Sequence, residues 1–346
     1  MFATFLRHFR GSLLFSLACL GLAGAYGWHE TGSVASTGAM LWVVLVLAVL
    51  EVSLSFDNAV VNAAVLADMD DIWRNRFLTW GMVFAVFGTR IVFPLAIVGL
   101  TAGLGPIDAV RLSLHDPRRY EAILTHAHIP IAGFGGAFLA MVGLGFFINP
   151  EKETHWLGWL EVRMKLIGSI KAGEIALLLL VLVGVAQTLP ADEAISLLVS
   201  GIFGIVAFIA VESLGHWLES REHARALAGA ALRSGLGGFL YLNVLDASFS
   251  LDGVIGAFAL SNNMVIIALG LSIGAIFVRS LTVLMVEQGT LSEYRYLEHG
   301  AFWAILALAG IMLASALVKI PETVTGLIGA VLIGAALWGS IRRRRA

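Results

Sequence analysis

The chain has 346 residues, of which 59% are hydrophobic and only 13% are charged, with a formal net charge of −2. Soluble domains carry about a quarter charged residues, so this composition excludes an ordinary soluble globular protein. A net charge so close to zero gives no indication of a nucleic-acid partner. The single cysteine, Cys19, excludes an intramolecular disulfide framework and a thiolate metal cluster.

Apolar runs recur along the chain at about the 20-residue length that an α-helix needs to cross a bilayer. They predict an all-α protein, a polytopic transmembrane helical bundle of about ten spans. The spans are predicted near residues 11–28, 38–66, 77–103, 131–148, 172–189, 194–216, 229–260, 263–287, 299–318 and 322–341. The second and seventh are long enough to be tilted or interrupted. The longest connection, 104–130, is predicted to form a small cap at the membrane interface.

The basic residues indicate how the spans are oriented. Most of the 22 Lys and Arg residues fall in alternate connections and in the terminal RRRR, whereas HETGSVASTG, PADE and SNN contain none. Because cytoplasmic connections carry the excess of Lys and Arg, both termini are predicted to be cytoplasmic, as in a bacterial inner-membrane protein. Arg7 and Arg10 before an apolar stretch would also suit a cleaved signal peptide, but cleavage would spoil the parity of the repeat described next.

The second half of the sequence repeats polar features of the first half. EVSLSFDNAV at 51–60 resembles DASFSLDGVI at 246–255, and GAFLAMVGL at 136–144 resembles GAFWAILAL at 300–308. The matched polar and glycine positions are Glu51, Ser53, Ser55, Asp57, Gly81 and Arg90 with Asp246, Ser248, Ser250, Asp252, Gly270 and Arg279. Five spans separate the copies, and an odd number predicts opposite orientations in the membrane. Residues 1–190, with core spans 38–148, and 191–346, with core spans 229–318, are therefore predicted to form an inverted repeat, a recurring plan of secondary transporters.

The polar side chains of the first copy do not fit one face of a straight helix. Glu51, Ser55, Asn58 and Asn62 share a face, whereas Asp57 lies roughly 120° away at 3.6 residues per turn. Either the polar sector is wide, or the helix opens near 53–57 so that the two carboxylates converge. In the second copy, glycines at 253 and 256 would make such an opening easy.

The repeated segments offer only oxygen ligands in a place where charge is expensive. A charged side chain at the bilayer centre costs about 3 kcal/mol on insertion scales, so these residues are expected to be paired, hydrated or bound. Carboxylate, hydroxyl, amide and carbonyl oxygens suit Mg, Ca and Mn, and no cysteine or repeated histidine points to zinc or copper. The candidate metal ligands are Glu51, Ser55, Asp57, Asn58, Asp246, Ser250 and Asp252, with Asn62 and Asn243 as weaker candidates. The two asparagines at 58 and 62 could instead be helix-packing amides.

Charge arithmetic is compatible with one divalent cation. Four acidic residues in the two copies against Arg90 and Arg279 leave a charge of −2 if all are ionised. Buried carboxylates that hold protons would instead supply a route to metal–proton exchange. The two arginines are assigned to charge pairing or gating, and structural ion pairs with their acidic neighbours remain the alternative.

The first copy resembles the TerC family of integral membrane proteins, whose intramembrane motif E-x-x-L-S-x-D-N-A is matched by EVSLSFDNA at 51–59. The resemblance covers roughly 40–148 and 235–340. It implies membership of a broad superfamily related to LysE-type exporters, with members linked to manganese efflux or tellurite resistance. It also implies that Glu51, Asp57, Asn58, Asp246 and Asp252 bind the cation. The second copy departs from the motif at Gly253 and at Asp246, which stands in place of Glu.

The sequence therefore predicts a secondary transporter that exports divalent cations, Mn first and Ca next. Its expected partners are the cation as substrate and the lipid bilayer, with no cofactor, no nucleic acid and a possible homo-oligomer. No phosphate-binding P-loop sequence occurs, so no ATP hydrolysis is expected. The alternatives are a membrane metal sensor or scaffold that moves no ion, an amino-acid exporter, and an intramembrane enzyme using Asp57 and Asp252 as a dyad. The enzyme is disfavoured because each aspartate has its own acidic neighbour.

Overall fold

The computed structural model describes residues 2–81, 83–149, 154–168, 172–227, 236–258, 260–261, 263–318, 320 and 322–345. The structure is 89% helical, and these residues contain no strand. In chain order, the α-helices are α1 (Phe2–Thr31), α2 (Val34–Leu54), α3 (Phe56–Asp68), α4 (Asp71–Arg76), α5 (Phe93–Ala102), α6 (Pro106–His115), α7 (Pro117–His126), α8 (His128–Ile148), α9 (Gly158–Gly168), α10 (Gly173–Ala186), α11 (Ala191–Leu227), α12 (Leu236–Ala257), α13 (Met264–Glu287), α14 (Thr290–Glu293), α15 (Leu297–Ser315) and α16 (Glu322–Arg345).

Among the described residues, eight helical stretches are long and apolar enough to cross a membrane. Two further apolar helices are shorter, 56–67 and 173–186. The protein is therefore a polytopic helical membrane protein, as its composition predicts. Within the described residues, the ten predicted spans coincide largely with helical segments, and residues 229–235 and 259 of the seventh span lie outside the described residues.

The second predicted span is interrupted, whereas the seventh is one continuous helix from Leu236 to Ala257. Ser55 separates α2 from α3 with non-helical backbone angles (φ −100°, ψ 18°). On the far side of the break, the Asp57 carboxylate accepts the Asn58 backbone N–H at 2.9 Å, which offers the backbone a local alternative to a helical bond. By contrast, α12 is helical through Gly253 and Gly256. The opening expected in the second copy is therefore wrong, because a glycine permits a break without requiring one.

The third span changes its helical form along its length. It runs from Asp71 to Ala102 and contains two π-helical segments, Phe77–Gly81 and Phe84–Val92. π-Helical turns are rare, occur mostly as single turns and are frequent at functional sites. The second segment ends just after Arg90, one of the residues singled out by the repeat.

Close glycine contacts hold the centre of the bundle together. A Cβ atom on Gly270 would lie 2.6 Å from the Cβ of Leu47, so α13 approaches the α2 backbone closely. Helices α8 and α15 pack in the same way, since a Cβ on Gly143 would lie 2.5 Å from Leu306. Small residues at such contacts are typical of helices that associate within a bilayer. The second span, which we call the broken span because Ser55 separates α2 from α3, lies against α13 and α15.

The connection 104–130 folds into two short helices, α6 and α7. Pro117 occupies the first turn of α7, and Asp116 caps it by accepting the Arg119 N–H at 3.2 Å. Tyr120 and Leu124 are buried in a cluster with Val98 of α5. The connection thus packs against the ends of the spans as a compact unit.

Candidate functional site

The break between α2 and α3 brings two acidic residues to one buried place. Glu51 lies in the last turn of α2 and is 3% exposed, while Asp57 lies in the first turn of α3 and is 6% exposed. Ser55 lies between them and donates its hydroxyl to Glu51 Oε1 at 3.2 Å. Residues 51, 55 and 57 therefore converge, as the opened-helix alternative predicts.

Glu51 forms a buried ion pair with Arg90 of the second π-helical segment. Both side chains are at least nine-tenths buried. Two glycines of the second half make room for this carboxylate. A Cβ on Gly253 would lie 3.2 Å from Glu51 Oε2, and a Cβ on Gly274 would lie 2.4 Å from Glu51 Cβ. Glu51 is thus held between the third, seventh and eighth spans.

A cavity of about 40 Å³ opens at the break. Because one water needs roughly 10–15 Å³ of such space, the cavity has room for a small ion with water. The residues that line it are Glu51, Ser53, Leu54, Ser55, Phe56, Asp57, Gly253, Ala304, Leu308, Thr325, Gly326, Gly329 and Ala330. Its polar wall is made of the broken span, and its apolar wall comes from α15 and α16.

Asp246 of α12 lies on the other side of α3, buried at 7% exposure. Its Oδ1 accepts hydrogen bonds from Asn58 Nδ2 at 2.7 Å and from Asn62 Nδ2 at 3.1 Å. It also interacts electrostatically with Arg90 and Glu51. The structure therefore joins the first half to the second through Asp246.

The second copy of the motif is otherwise placed differently from the first. Asn243 is 8% exposed and donates its amide to the Phe239 backbone oxygen at 2.6 Å. Arg279 donates Nε to the backbone oxygen of Leu78 at 2.9 Å, in the first π-helical segment. The side chains of Ser250 and Asp252 lie outside the described residues, although the α12 backbone that carries them is helical.

Several cavity residues come from parts of the sequence that carry no polar motif. Gly329 faces Asp57, since a Cβ there would lie 3.8 Å from Asp57 Oδ2, and Gly326 lies against Leu54. Together with Thr325 and Ala330 they form a stripe of small residues on one face of α16. Small-residue spacing of this kind indicates a close helix contact, but it does not indicate which helix will be the neighbour.

The site can bind a hard cation only by combining different kinds of oxygen. Among the side chains that the structure describes, no three His, Cys, Asp or Glu residues are grouped closely enough to hold a metal ion together. Two carboxylates, the Ser55 hydroxyl and backbone oxygens at the break remain, and Ca²⁺ sites commonly mix these ligand types.

Comparison with known proteins gives one match. A family model described as "Protein of unknown function (DUF475)" matches residues 56–346. The match begins at the first residue of α3, so Glu51 and the rest of α2 precede it. No curated protein and no solved structure matches the chain.

Proposed function

The chain belongs to the DUF475 family, and from its site we propose that it is a secondary transporter exporting divalent cations, Mn first and Ca next. The observation that carries the proposal is the pair of buried carboxylates, Glu51 and Asp57, at a helix break that opens on a cavity. Interrupted helices with ion sites at the break are typical of secondary transporters. The TerC resemblance of 51–59 supports the same class.

The local charge attracts a cation. Arg90 neutralises Glu51, so that Asp57 contributes the net negative charge of the cavity wall. Low-dielectric surroundings strongly favour neutralisation of such a charge, and a bound cation supplies it. Oxygen-only ligands favour Mn, Ca or Mg over softer metals.

We further propose that ten spans form a five-plus-five inverted repeat whose halves rock against each other around this site. The inverted repeat is supported by helix pairs that it would relate to each other. The second span packs on the eighth as the third packs on the seventh, and the fourth span packs on the ninth. Both termini are proposed to be cytoplasmic, and the membrane is proposed to be the bacterial inner membrane.

The test is flux through purified protein in liposomes. We expect uptake of Mn²⁺ and Ca²⁺ by the parent protein and at least a tenfold lower rate for Asp57→Asn. The amide keeps an oxygen that can accept the Asn58 N–H but removes the charge. Asp192→Asn, at an exposed position in the first turn of α11, is the matched control and should transport like the parent. Equal flux through parent and Asp57→Asn liposomes would contradict the proposal.

A metal sensor or scaffold is the second candidate, because the buried Glu51–Arg90 pair is equally suited to a static structural role. Such a protein would bind Mn²⁺ stoichiometrically and move none. Equilibrium binding measured on the same preparation separates the two. Binding without flux in sealed liposomes would favour the sensor.

A further inference from the structure

Two asparagines of α3 donate to Asp246 at the contact between the two halves of the protein, and a third lies one turn before it on α12. Asn58 and Asn62 lie one turn apart on α3, and both donate Nδ2 to Oδ1 of Asp246, at 2.7 Å and 3.1 Å. Asn243 precedes Asp246 by three residues on α12 and so lies on the same helical face. All four side chains are less than 9% exposed. We refer to them as the amide cluster.

The amide cluster contains three oxygen atoms that accept no hydrogen bond within the described part of the chain. They are Oδ1 of Asn58, Asn62 and Asn243, and each is fully buried. The amide orientations are fixed, because each Nδ2 already donates to an oxygen. A buried acceptor without a partner costs about 1–3 kcal/mol, so three such oxygens on α3 and α12 call for a bound partner. Acceptor oxygens are satisfied by water or by a cation, and the neighbouring Asp246 carboxylate favours a cation.

We infer that Asn58, Asn62, Asn243 and Asp246 form a second cation site, separate from the cavity at the helix break, that takes Na⁺. The cavity-lining residues include none of these four. The binding site itself stands without the proposed transport function. Only the use of Na⁺ as the coupling ion rests on that function.

Charge favours a monovalent ion at this site. The cluster holds one carboxylate and three neutral amide oxygens, and the nearby Glu51 and Arg90 cancel each other. One Na⁺ would leave the cluster neutral. A divalent ion would leave an uncompensated positive charge in the membrane interior, where a charge is costly.

The position of the cluster indicates what the ion would do. Its ligands come from α3 of the first half and α12 of the second, so a bound Na⁺ would hold the two halves together. Asn58 also follows Asp57, and its backbone N–H is bonded to that carboxylate. Binding of Na⁺ at the amide cluster would therefore change the position of Asn58 and, through this hydrogen bond, the position of the Asp57 carboxylate in the cavity wall.

The test uses the purified full-length protein in detergent. Binding of ²²Na⁺ is measured, with thermal unfolding in NaCl, KCl and choline chloride at equal ionic strength. We expect saturable ²²Na⁺ binding and a higher Tm in NaCl than in the other two salts. Asn62→Ala and Asn243→Ala should each weaken Na⁺ binding at least tenfold. The matched control, Asn75→Ala on the exposed surface of α4, should bind like the parent.

The outcomes separate this inference from the proposed function. The inference is overturned if the parent protein shows neither ²²Na⁺ binding nor an Na⁺-specific rise in Tm. Water would then fill the site. This result does not depend on whether the variants fold. Competition of Mn²⁺ with Na⁺ for one shared site also overturns it. Asp57→Asn that retains Na⁺ binding but loses Mn²⁺ flux supports two sites. Na⁺ binding in a protein that moves no divalent cation supports the inference and contradicts only the transporter.

Discussion

Glu51 meets neighbours from several spans in the cavity wall. Its carboxylate meets Arg90 and the Ser55 hydroxyl, while Gly253 and Gly274 leave space for it. The sequence singles out residues 51 and 57, since a carboxylate in an apolar run is costly and is expected to be paired, hydrated or bound. It does not predict which arginine would pair with Glu51, because that depends on how the third span turns.

In the buried Glu51–Arg90 pair, the effect of replacing one residue on the free energy of unfolding should depend strongly on whether the other is present. Replacing Arg90 by Leu should lower the free energy of unfolding by about 3–5 kcal/mol, because Glu51 would be left charged and buried. Adding Glu51→Gln should recover most of that loss. Thermal or denaturant unfolding in detergent measures both. Losses that simply add in the double variant would show that the two groups do not interact.

At the scale of the helices, the break at Ser55 and the π-helical third span differ in how well sequence anticipates them. The break is one of two alternatives that the sequence offers, the other being a wide polar sector, since Glu51 and Asp57 share no face of a regular helix. The π-helical segments are not, because nothing in the apolar run 77–103 distinguishes an α turn from a wider one. The continuity of α12 is likewise not predicted, and Gly253 instead leaves room for the Glu51 carboxylate.

The α2–α13 contact should tolerate no side chain at Gly274. An alanine Cβ there would lie 2.4 Å and 2.5 Å from the Cβ and Cγ of Glu51 and 3.0 Å from the Ala48 backbone oxygen. Overpacking of this kind costs about 1–3 kcal/mol. Gly274→Ala should therefore lower the Tm and displace Glu51, reducing divalent-cation flux.

The matched control for that substitution is Gly310→Ala. It lies on α15, and a Cβ there meets nothing within 4 Å. It should leave both the Tm and the flux unchanged. A Tm for Gly274→Ala equal to that of the control would show that the helices are further apart than described.

At the scale of the whole molecule, the first and sixth predicted spans have different neighbours. Helix α1 packs on α2 and α13, whereas α11 packs on α8, α10 and α12. A Cβ on Gly204 would lie 2.4 Å from the Phe134 backbone oxygen, so α11 approaches α8 very closely. The stretches that repeat in the sequence lie outside α1 and α11, so the different neighbours of these two helices are not predictable from the repeat.

The orientation of the bundle can be tested with single cysteines, since Cys19 is the only one in the chain and is buried. In a Cys19→Ser background, Ser36→Cys and Ala191→Cys should react with a membrane-impermeant maleimide in intact cells. Asn75→Cys, between the second and third spans, should react only after permeabilisation. All three positions are exposed. The reverse pattern would place the termini outside.

The π-helical third span also bears on how this protein can vary among its relatives. Arg90 and Arg279 each follow a glycine by nine positions, which is two and a half turns of an α-helix but close to two turns of the wider π form. The same nine-residue spacing therefore points the two arginine side chains in different directions. Arg90 points towards Glu51, and Arg279 points towards the backbone oxygen of Leu78. The π-helical segment is expected to be retained in evolution only where it directs Arg90 towards Glu51. Relatives that have lost one residue from this span should also have lost the glutamate or the arginine.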